Sequence, residues 1–176
     1  MSFGDSLIKR VVEALKAEFP RLKTFATLSP IPGFRVWLGK NAQPMLDRLD
    51  DKARGELARI LPGGALASAW LAALDQAREL DPKSPVARLL MRCAAHYLCH
   101  ERSQDKPLDP VARFHLGNGA RVERLNWAAD PCAKGQRQAW GLMVNYLYDL
   151  KRLDKHRAML AQGKVPMSAD ITSLRF

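Results

Sequence analysis

The sequence predicts a helix-rich α+β fold. Apolar residues recur at helical spacing through most of the 176 residues, which is typical of amphipathic helices packed on a core. Only three short segments have the alternating, β-branched or aromatic composition of strands. With 47% hydrophobic and 26% charged residues, the composition is that of a globular protein, and we expect residues 1–176 to form a single domain.

The first predicted elements are a helix, a strand and a rigid turn. Residues 7–19 place apolar side chains on one face and mostly charged ones on the other, and Pro20 ends this helix. Threonine and phenylalanine in residues 23–28 predict a short strand. Two prolines and a glycine in residues 29–33 then impose a fixed, non-helical path. We therefore expect the side chain of Ser29 at the carboxyl end of the strand.

The middle of the chain is predicted to be helical. Periodic apolar segments, most of them separated by proline and glycine, predict helices at residues 43–49, 52–60, 65–80 and 85–102. Ser84 and Pro85 mark the start of the last helix, because serine is a good N-cap and proline suits the first helical position. A polar loop is predicted at residues 103–107.

The last third of the chain is predicted to alternate short helices and strands. A helix at residues 109–116, capped by Asp109, runs into a sharp turn at Gly117, Asn118 and Gly119, since these residue types tolerate positive φ. The remaining predicted elements are strands at residues 120–127 and 142–150, helices at residues 135–140 and 152–161, and a last turn through residue 174 capped by Ser168.

The net charge of +10 favours an anionic partner or serves solubility alone. Nucleic acid, an acidic membrane surface and a phosphorylated ligand such as coenzyme A all fit the charge. The sequence has no recognised nucleic-acid motif and no apolar run long enough to span a bilayer, so neither partner is predicted. The first residues lack a signal-peptide pattern, and three cysteines are an odd count, so we expect reduced thiols and a cytoplasmic location. Cys132, on a predicted loop, is the thiol expected to be accessible.

Ser29 and His115 are candidate catalytic residues from their positions. His115 lies between a helix end and a glycine-rich turn, where an imidazole can act as a general acid or base. The hydroxyl of Ser29 can donate to a carboxylate or to a histidine. The alternatives are a structural histidine and a turn serine bonded to its own backbone.

Three other groups have structural interpretations at least as good as functional ones. His96 and His100 have the spacing of a metal pair, but no glutamate completes the pattern and no metal site is predicted. Tyr146 and Tyr148 are expected on opposite faces of one strand, with Tyr148 as the site residue. A basic cluster on a late helix is expected to be solvated. It consists of Lys151, Arg152, Lys155, His156 and Arg157.

Five strings of residues go beyond such general signals. They are LIKRVV from residue 7, FATLSPIPGF from 25, DPVARFHLGNGA from 109, NWAAD from 126 and GLMVNYLY from 141. With them the chain resembles the malonyl-CoA decarboxylase family over essentially its whole length. The strings LSPIPGF and FHLGNGA are the most specific.

The resemblance implies part of a GCN5-related acetyltransferase-like domain, with the first strands of the sheet missing from this chain. A separate helical domain and most of the loop that holds the coenzyme A pyrophosphate would lie upstream. The resemblance also implies conversion of malonyl-CoA to acetyl-CoA and carbon dioxide, without a metal or an organic cofactor.

The family's catalytic serine and histidine fall on Ser29 and His115, and a site tyrosine falls on Tyr148. As a hypothesis, protonated His115 delivers or relays the proton that the α-carbon takes up. Ser29 would orient the carboxylate or the imidazole.

Four further residues are expected to bind substrate. Ser2 and Gly4 fall at the end of the pyrophosphate loop, and Ser2 stands where some family members carry an acidic residue. Asn118 and Gly119 are expected to help fix the thioester.

Two other functions stay open. One is a coenzyme A-binding module without turnover, and the other, from charge alone, is a nucleic-acid binder whose affinity falls steeply with salt. Whether the chain forms a homo-oligomer also stays open.

Overall fold

The computed structural model describes residues 3–76 and 79–176. Within these ranges the helices are α1 Phe3–Glu18, α2 Phe34–Asp47, α3 Asp51–Ile60, α4 Ala67–Leu74, α5 Pro85–His100, α6 Pro110–Gly117, α7 Ala133–Ala139, α8 Leu153–Ala161 and α9 Ala169–Thr172. The strands are β1 Ala26–Pro30, β2 Arg102–Ser103, β3 Lys106–Pro107, β4 Arg121–Asn126 and β5 Met143–Leu147. The prediction of an α+β fold is confirmed.

Three strands form an antiparallel sheet in the order β1-β5-β4. The central strand β5 pairs with both neighbours, and β1 lies at an edge. Ser29 lies opposite Val144 inside the paired part of β1. The strand predicted at residues 23–28 is therefore shifted along the chain, and Ser29 belongs to the strand rather than to the turn after it.

The buried side chains form one contiguous cluster around α5. This helix contacts α2, α3, α4 and β4. Aromatic rings fill much of the space between α2 and α5, with Phe34 and Tyr97 5.6 Å apart between ring centroids. Because α5 is packed on several sides, it forms the centre of the core.

Helix α2 is much longer than the helix predicted at residues 43–49. It begins at Phe34 and contains Pro44 in its interior. An interior proline removes one helical hydrogen bond, yet the helix buries an apolar stripe at helical spacing. The buried residues are Phe34, Leu38, Ala42, Met45 and Leu46. Burial of this stripe outweighs the local cost of the proline.

Other predicted elements differ in extent. The polar loop predicted at residues 103–107 is instead a tight hairpin of β2 and β3, with positive φ at Gln104 and Asp105. The helix predicted at residues 65–80 is shorter, because α4 ends at Leu74. Helix α5 begins as predicted, with Ser84 accepting a hydrogen bond from the N–H of Ala87.

Two of the three thiols are buried. Burial raises the pKa of Cys99 to about 12 and that of Cys93 further, so both are inert apolar side chains. Cys132 is exposed, as predicted, and all three are unpaired. No helix within the described ranges is both long and apolar enough to cross a bilayer.

Candidate active site

Three of the predicted site residues meet in one hydrogen-bonded chain. Ser29 Oγ lies 3.3 Å from His115 Nε2, and His115 Nδ1 lies 2.5 Å from the hydroxyl of Tyr148. The three residues are far apart in sequence: Ser29 lies in β1, His115 in α6, and Tyr148 directly after β5. A hydroxyl on each nitrogen of an imidazole is an arrangement that can move a proton through the ring.

Helix α6 positions His115. Proline follows the N-cap, and Asp109 Oδ1 accepts hydrogen bonds from Val111 N (3.0 Å) and Ala112 N (2.9 Å), as the sequence predicts. His115 lies in the last turn of this short helix, so the orientation of α6 fixes where the imidazole points.

Asp109 also connects α6 to the segment that carries Ser29. Its carboxylate is fully buried, and the backbone N–H of Gly33 and the hydroxyl of Tyr97 lie close enough to favour its charged form, although its second oxygen Oδ2 completes no hydrogen bond within the described residues. Burial raises the pKa of Asp109, and these donors, with Val111 and Ala112, oppose that effect. Helix α6, helix α5 and the turn after β1 therefore converge on one buried carboxylate.

Glycine is required at position 33 for this convergence. A Cβ built there would lie 2.5 Å from the hydroxyl oxygen of Tyr97. Tyr97 is 2% exposed, so its hydroxyl would have to shift within the core to make room. The close approach of backbone to hydroxyl sets the distance between the turn and α5.

Burial determines the charge of His115. Desolvation lowers the pKa of His115 from 6.5 to about 4, so the imidazole is neutral at pH 7. This differs from the sequence-based hypothesis of a protonated histidine. A neutral ring has one donor and one acceptor nitrogen. Either Ser29 donates to Nε2 while Nδ1 donates to Tyr148, or Tyr148 donates to Nδ1 while Nε2 donates to Ser29.

Tyr146 completes the surroundings of the imidazole. Its ring stacks on His115 with a centroid distance of 4.6 Å and an interplanar angle of 22°. The prediction that Tyr146 and Tyr148 lie on opposite faces of the strand is wrong. Both contact the same imidazole, because residues two apart in an extended chain share a face.

Thr27 is a site residue that sequence reasoning missed. Its hydroxyl lies 3.0 Å from Ser29 Oγ. The side-chain amide of Asn145 donates to the carbonyl of Thr27 and accepts from Asn126 Nδ2. The signal was available, since Thr27 precedes Ser29 by two residues in a strand and must share its face.

A largely apolar cleft of about 500 Å³ opens beside His115. Its walls come from α1, β1 and α6, and include Leu7, Val11, Phe25 and Phe114. Leu7, Val11 and Phe114 are about half exposed, so the apolar surface faces the cleft rather than the core. Ser29 is 5% exposed and does not line the cleft, but both of its hydrogen-bonding neighbours, Thr27 and His115, do.

A second groove adjoins this cleft, and some residues line both. Thr24, Phe25 and Tyr148 line both, and the second groove, of about 390 Å³, carries Lys16, Lys23 and Lys151. Lysine ammonium groups beside an apolar cleft favour a ligand that combines apolar and anionic parts.

The four predicted substrate-binding residues have different outcomes. Ser2 lies outside the described residues. Gly4 lies in the first turn of α1 rather than in a loop, because the helix begins at Phe3 and not at residue 7. Asn118 and Gly119 do not line the cleft, and their role at the thioester stays a prediction.

The polar groups of the turn after α6 are already engaged. Asn118 Nδ2 donates to the carbonyl of Phe114, and the N–H of Gly119 donates to Leu116. Gly119 has φ +88°, and a Cβ there would lie 2.8 Å from the carbonyl oxygen of Leu153. Its carbonyl accepts from Nδ1 of His156. His156 is also buried. The prediction that the basic cluster at residues 151–157 is solvated is therefore wrong for this residue.

The histidine pair of α5 has no metal-binding surroundings. His96 and His100 stack 5.3 Å apart, and His96 Nε2 bonds the carboxylate of Glu101 at 2.9 Å. In the part of the chain that the structure describes, no group of three or more histidine, cysteine, aspartate or glutamate side chains is arranged to hold a metal ion.

Comparison with known proteins agrees with the resemblance seen in the sequence. The family model "Malonyl-CoA decarboxylase C-terminal domain" matches residues 1–175. The chain is 36% identical to "Malonyl-CoA decarboxylase, mitochondrial" of Rattus norvegicus and 35% identical to the Mus musculus protein of the same name. In both cases the match covers 99% of this chain and 37% of the relative.

Solved structures of bacterial proteins match as well. The crystal structure of malonyl-CoA decarboxylase from Cupriavidus metallidurans has a TM-score of 0.84 and 44% identity, over 99% of this chain and 44% of that one. The structure from Agrobacterium vitis has a TM-score of 0.79 and 42% identity, over 99% of this chain and 41% of that one. The chain thus spans less than half the length of these relatives.

Proposed function

The chain belongs to the malonyl-CoA decarboxylase family, and on that premise we propose that it supplies the site at which malonyl-CoA loses carbon dioxide and becomes acetyl-CoA. The observation that carries the proposal is the chain of contacts from Ser29 through His115 to Tyr148 beside an apolar cleft. The reaction needs a proton donor for carbon and an apolar surface against which the thioester can pack, and this arrangement offers both.

The substrate lies in the apolar cleft with its thioester next to His115. The aliphatic arm of coenzyme A packs against Leu7, Val11 and Phe25, and its phosphates stay near the lysines of the adjoining groove.

In an acetyltransferase-like sheet, a further strand would lie beside β1. Edge strand β1 has such a free side within the described residues.

Decarboxylation breaks the bond between the α-carbon and the carboxylate. Carbon dioxide leaves, and the electron pair becomes a thioester enolate. Ser29, held by Thr27 Oγ1 at 3.0 Å, orients the carboxylate out of the thioester plane or fixes the imidazole. The apolar walls disfavour the substrate's carboxylate more than the dispersed charge of the transition state.

Neutral His115 then supplies the proton. Nε2–H transfers its proton to the α-carbon, and the hydroxyl of Tyr148, 2.5 Å from Nδ1, gives its proton to the ring. Tyr148 then takes the hydrogen back from Nδ1, and Nε2 takes up one proton from solvent, which restores the starting tautomer. A neutral imidazole is a weaker acid than an imidazolium, but it is acid enough to protonate the strongly basic enolate carbon.

The test is release of carbon dioxide from radiolabelled malonyl-CoA. Two proteins are compared: the chain itself, and a chimera in which residues 1–176 replace the matching part of the Cupriavidus metallidurans protein. Turnover by either, lost about 100-fold or more in His115→Gln and Ser29→Ala, supports the proposal. Ser173→Ala, which removes an exposed hydroxyl that donates only to the Asp170 carbonyl, is the matched control and keeps full activity.

The other outcomes separate the alternatives. If both proteins bind coenzyme A but neither releases carbon dioxide, the chain is a binding module and the decarboxylase proposal fails. If the chimera is active and His115→Gln has no effect, the catalytic role of His115 is refuted.

A further inference from the structure

A second cavity, separate from the apolar cleft, lies between α5, α9 and the last residues of the chain. We call it the C-terminal pocket and define it by Arg48, His96, His100, Ile171, Arg175 and Phe176, which line it. Its volume is about 580 Å³, within the range of small-molecule sites. It shares no lining residue with the cleft beside His115.

The C-terminal pocket has arginines in its wall and behind it. Arg48 and Arg175 line it, and Arg92 stacks on Phe176 with its guanidinium 4.4 Å from the ring centroid. No carboxylate of the described residues lies within ion-pair distance of these three arginines. The guanidinium groups of Arg48 and Arg175, which line the pocket and pair with no carboxylate in the described ranges, can donate to a phosphate or a carboxylate.

Hydrogen bonds hold the polar end of the pocket in one arrangement. Arg48 Nη1 lies 3.2 Å from His96 Nδ1. An arginine can only donate, so Nδ1 accepts and Nε2 carries the hydrogen that is donated to Glu101 at 2.9 Å. Burial lowers the pKa of His96, which favours this neutral form. Glu101 therefore hydrogen-bonds His96 instead of pairing directly with Arg48.

The rest of the wall is apolar. Ala95, Cys99, Met167 and Ile171 line it together with the ring of Phe176. The rings of Phe176 and His96 are in edge contact, with their centroids 6.2 Å apart. The guanidinium carbon of Arg48 lies 5.9 Å from the centroid of the Phe176 ring. A flat or aliphatic body would be covered by these groups while an attached anionic group reaches the arginines.

From these observations we propose that the C-terminal pocket binds a small organic anion, that is, a phosphate or carboxylate group attached to an apolar body. This is a binding site distinct from the one that handles the thioester, and it does not depend on the function proposed above. The recognition is by charge at one end and by apolar contact at the other.

Calorimetric titration of the full chain with four probes tests this. Phenyl phosphate and benzoate carry the two candidate anionic groups on the same ring, benzyl alcohol lacks the charge, and inorganic phosphate lacks the body. We expect phenyl phosphate or benzoate to bind at least tenfold more tightly than both of the other probes, and the tighter of the two identifies the anionic group. Equal binding of benzyl alcohol or of inorganic phosphate overturns the proposal.

Variants assign the binding to this pocket. Arg175→Ala and Arg48→Ala are each expected to weaken binding of the tighter probe about tenfold, the loss typical of one charge-assisted contact. Arg137→Ala, an exposed arginine of α7 that lines none of the cavities described above, removes the same charge elsewhere and leaves affinity unchanged. Ser29→Ala leaves it unchanged too, because the catalytic site is not involved. An equal loss in Arg137→Ala, or no loss in either pocket variant, refutes the assignment.

Discussion

Gly33 offers the sharpest test of how the candidate site is held together. An alanine Cβ at this position would lie 2.5 Å from the Tyr97 hydroxyl oxygen, whereas ordinary contact begins at 3.4 Å. About 0.9 Å of movement is needed in a place where Tyr97 is 2% exposed. Overpacking of this kind costs about 1–3 kcal/mol of the free energy of unfolding.

A double-mutant cycle isolates the clash. Tyr97→Phe alone removes a hydroxyl that favours the charged form of buried Asp109, at a cost of about 1–3 kcal/mol. In that background the nearest remaining atom, the Tyr97 ring carbon Cζ, lies 3.7 Å from the new Cβ, which is ordinary contact. Gly33→Ala should then cost only the difference between glycine and alanine as the N-cap of α2. The two changes together therefore cost about 1–3 kcal/mol less than their sum.

The assay is urea unfolding of the four proteins followed by circular dichroism. Gly39→Ala is the control for an added methyl group without a clash, because Gly39 lies inside the helix that Gly33 caps and no atom lies within 4 Å of a Cβ there. It should stabilise the protein by about 0.5–1 kcal/mol. If Gly33→Ala costs as much in the Tyr97→Phe background as in the natural sequence, the hydroxyl contact does not set the position of the turn, and the reasoning is refuted.

Three more predictions concern the imidazole and the turn beside it. The pKa of His115 is lower in the folded chain (about 4) than its ordinary 6.5, so its contribution to stability is complete above pH 6.5 and is lost as the pH falls through about 4. The free energy of unfolding of His115→Gln should lack this part of the pH dependence, and curves of identical shape would contradict the assignment. Tyr148→Phe removes the hydroxyl 2.5 Å from Nδ1 and should lower kcat about 10- to 100-fold with little change in KM; a change confined to KM would indicate a binding role instead. Gly119→Ala combines positive φ with a Cβ 2.8 Å from Leu153 and should cost about 2–5 kcal/mol in urea unfolding. Its control Gly163→Ala, with φ +78° but open space, should cost only about 1–2 kcal/mol, and equal costs would exclude the contact.

Local signals predicted the elements that position His115. The cap at Asp109, the proline after it and the glycine turn are read from neighbouring residues, so helix α6 was predicted closely. The full length of α2 was not, because its start depends on burying Phe34 and Leu38 against α5, and Pro44 argues locally against a helix. Sequence reasoning estimates local helix propensity, whereas the start of α2 is determined by tertiary packing.

In the candidate site, too, some features could be predicted from the sequence and others depend on tertiary packing. The resemblance to a family predicted Ser29, His115 and Tyr148, and the structure brings them together. Nothing in the sequence indicated that burial would make His115 neutral, since desolvation depends on packing between distant elements. The connection of Asp109 to Gly33 and Tyr97 was missed for the same reason.

The edge position of β1 has a kinetic consequence. Phe25 accepts from the N–H of Tyr148, so in this antiparallel pair residues 25, 27 and 29 face β5, and Ala26 and Leu28 point their N–H groups outward. In deuterium exchange the amides of Thr27 and Ser29 should be slow, and that of Leu28 should exchange at the rate of a loop. The strand that carries the serine is thus anchored at every second amide, while the intervening amides remain accessible to solvent.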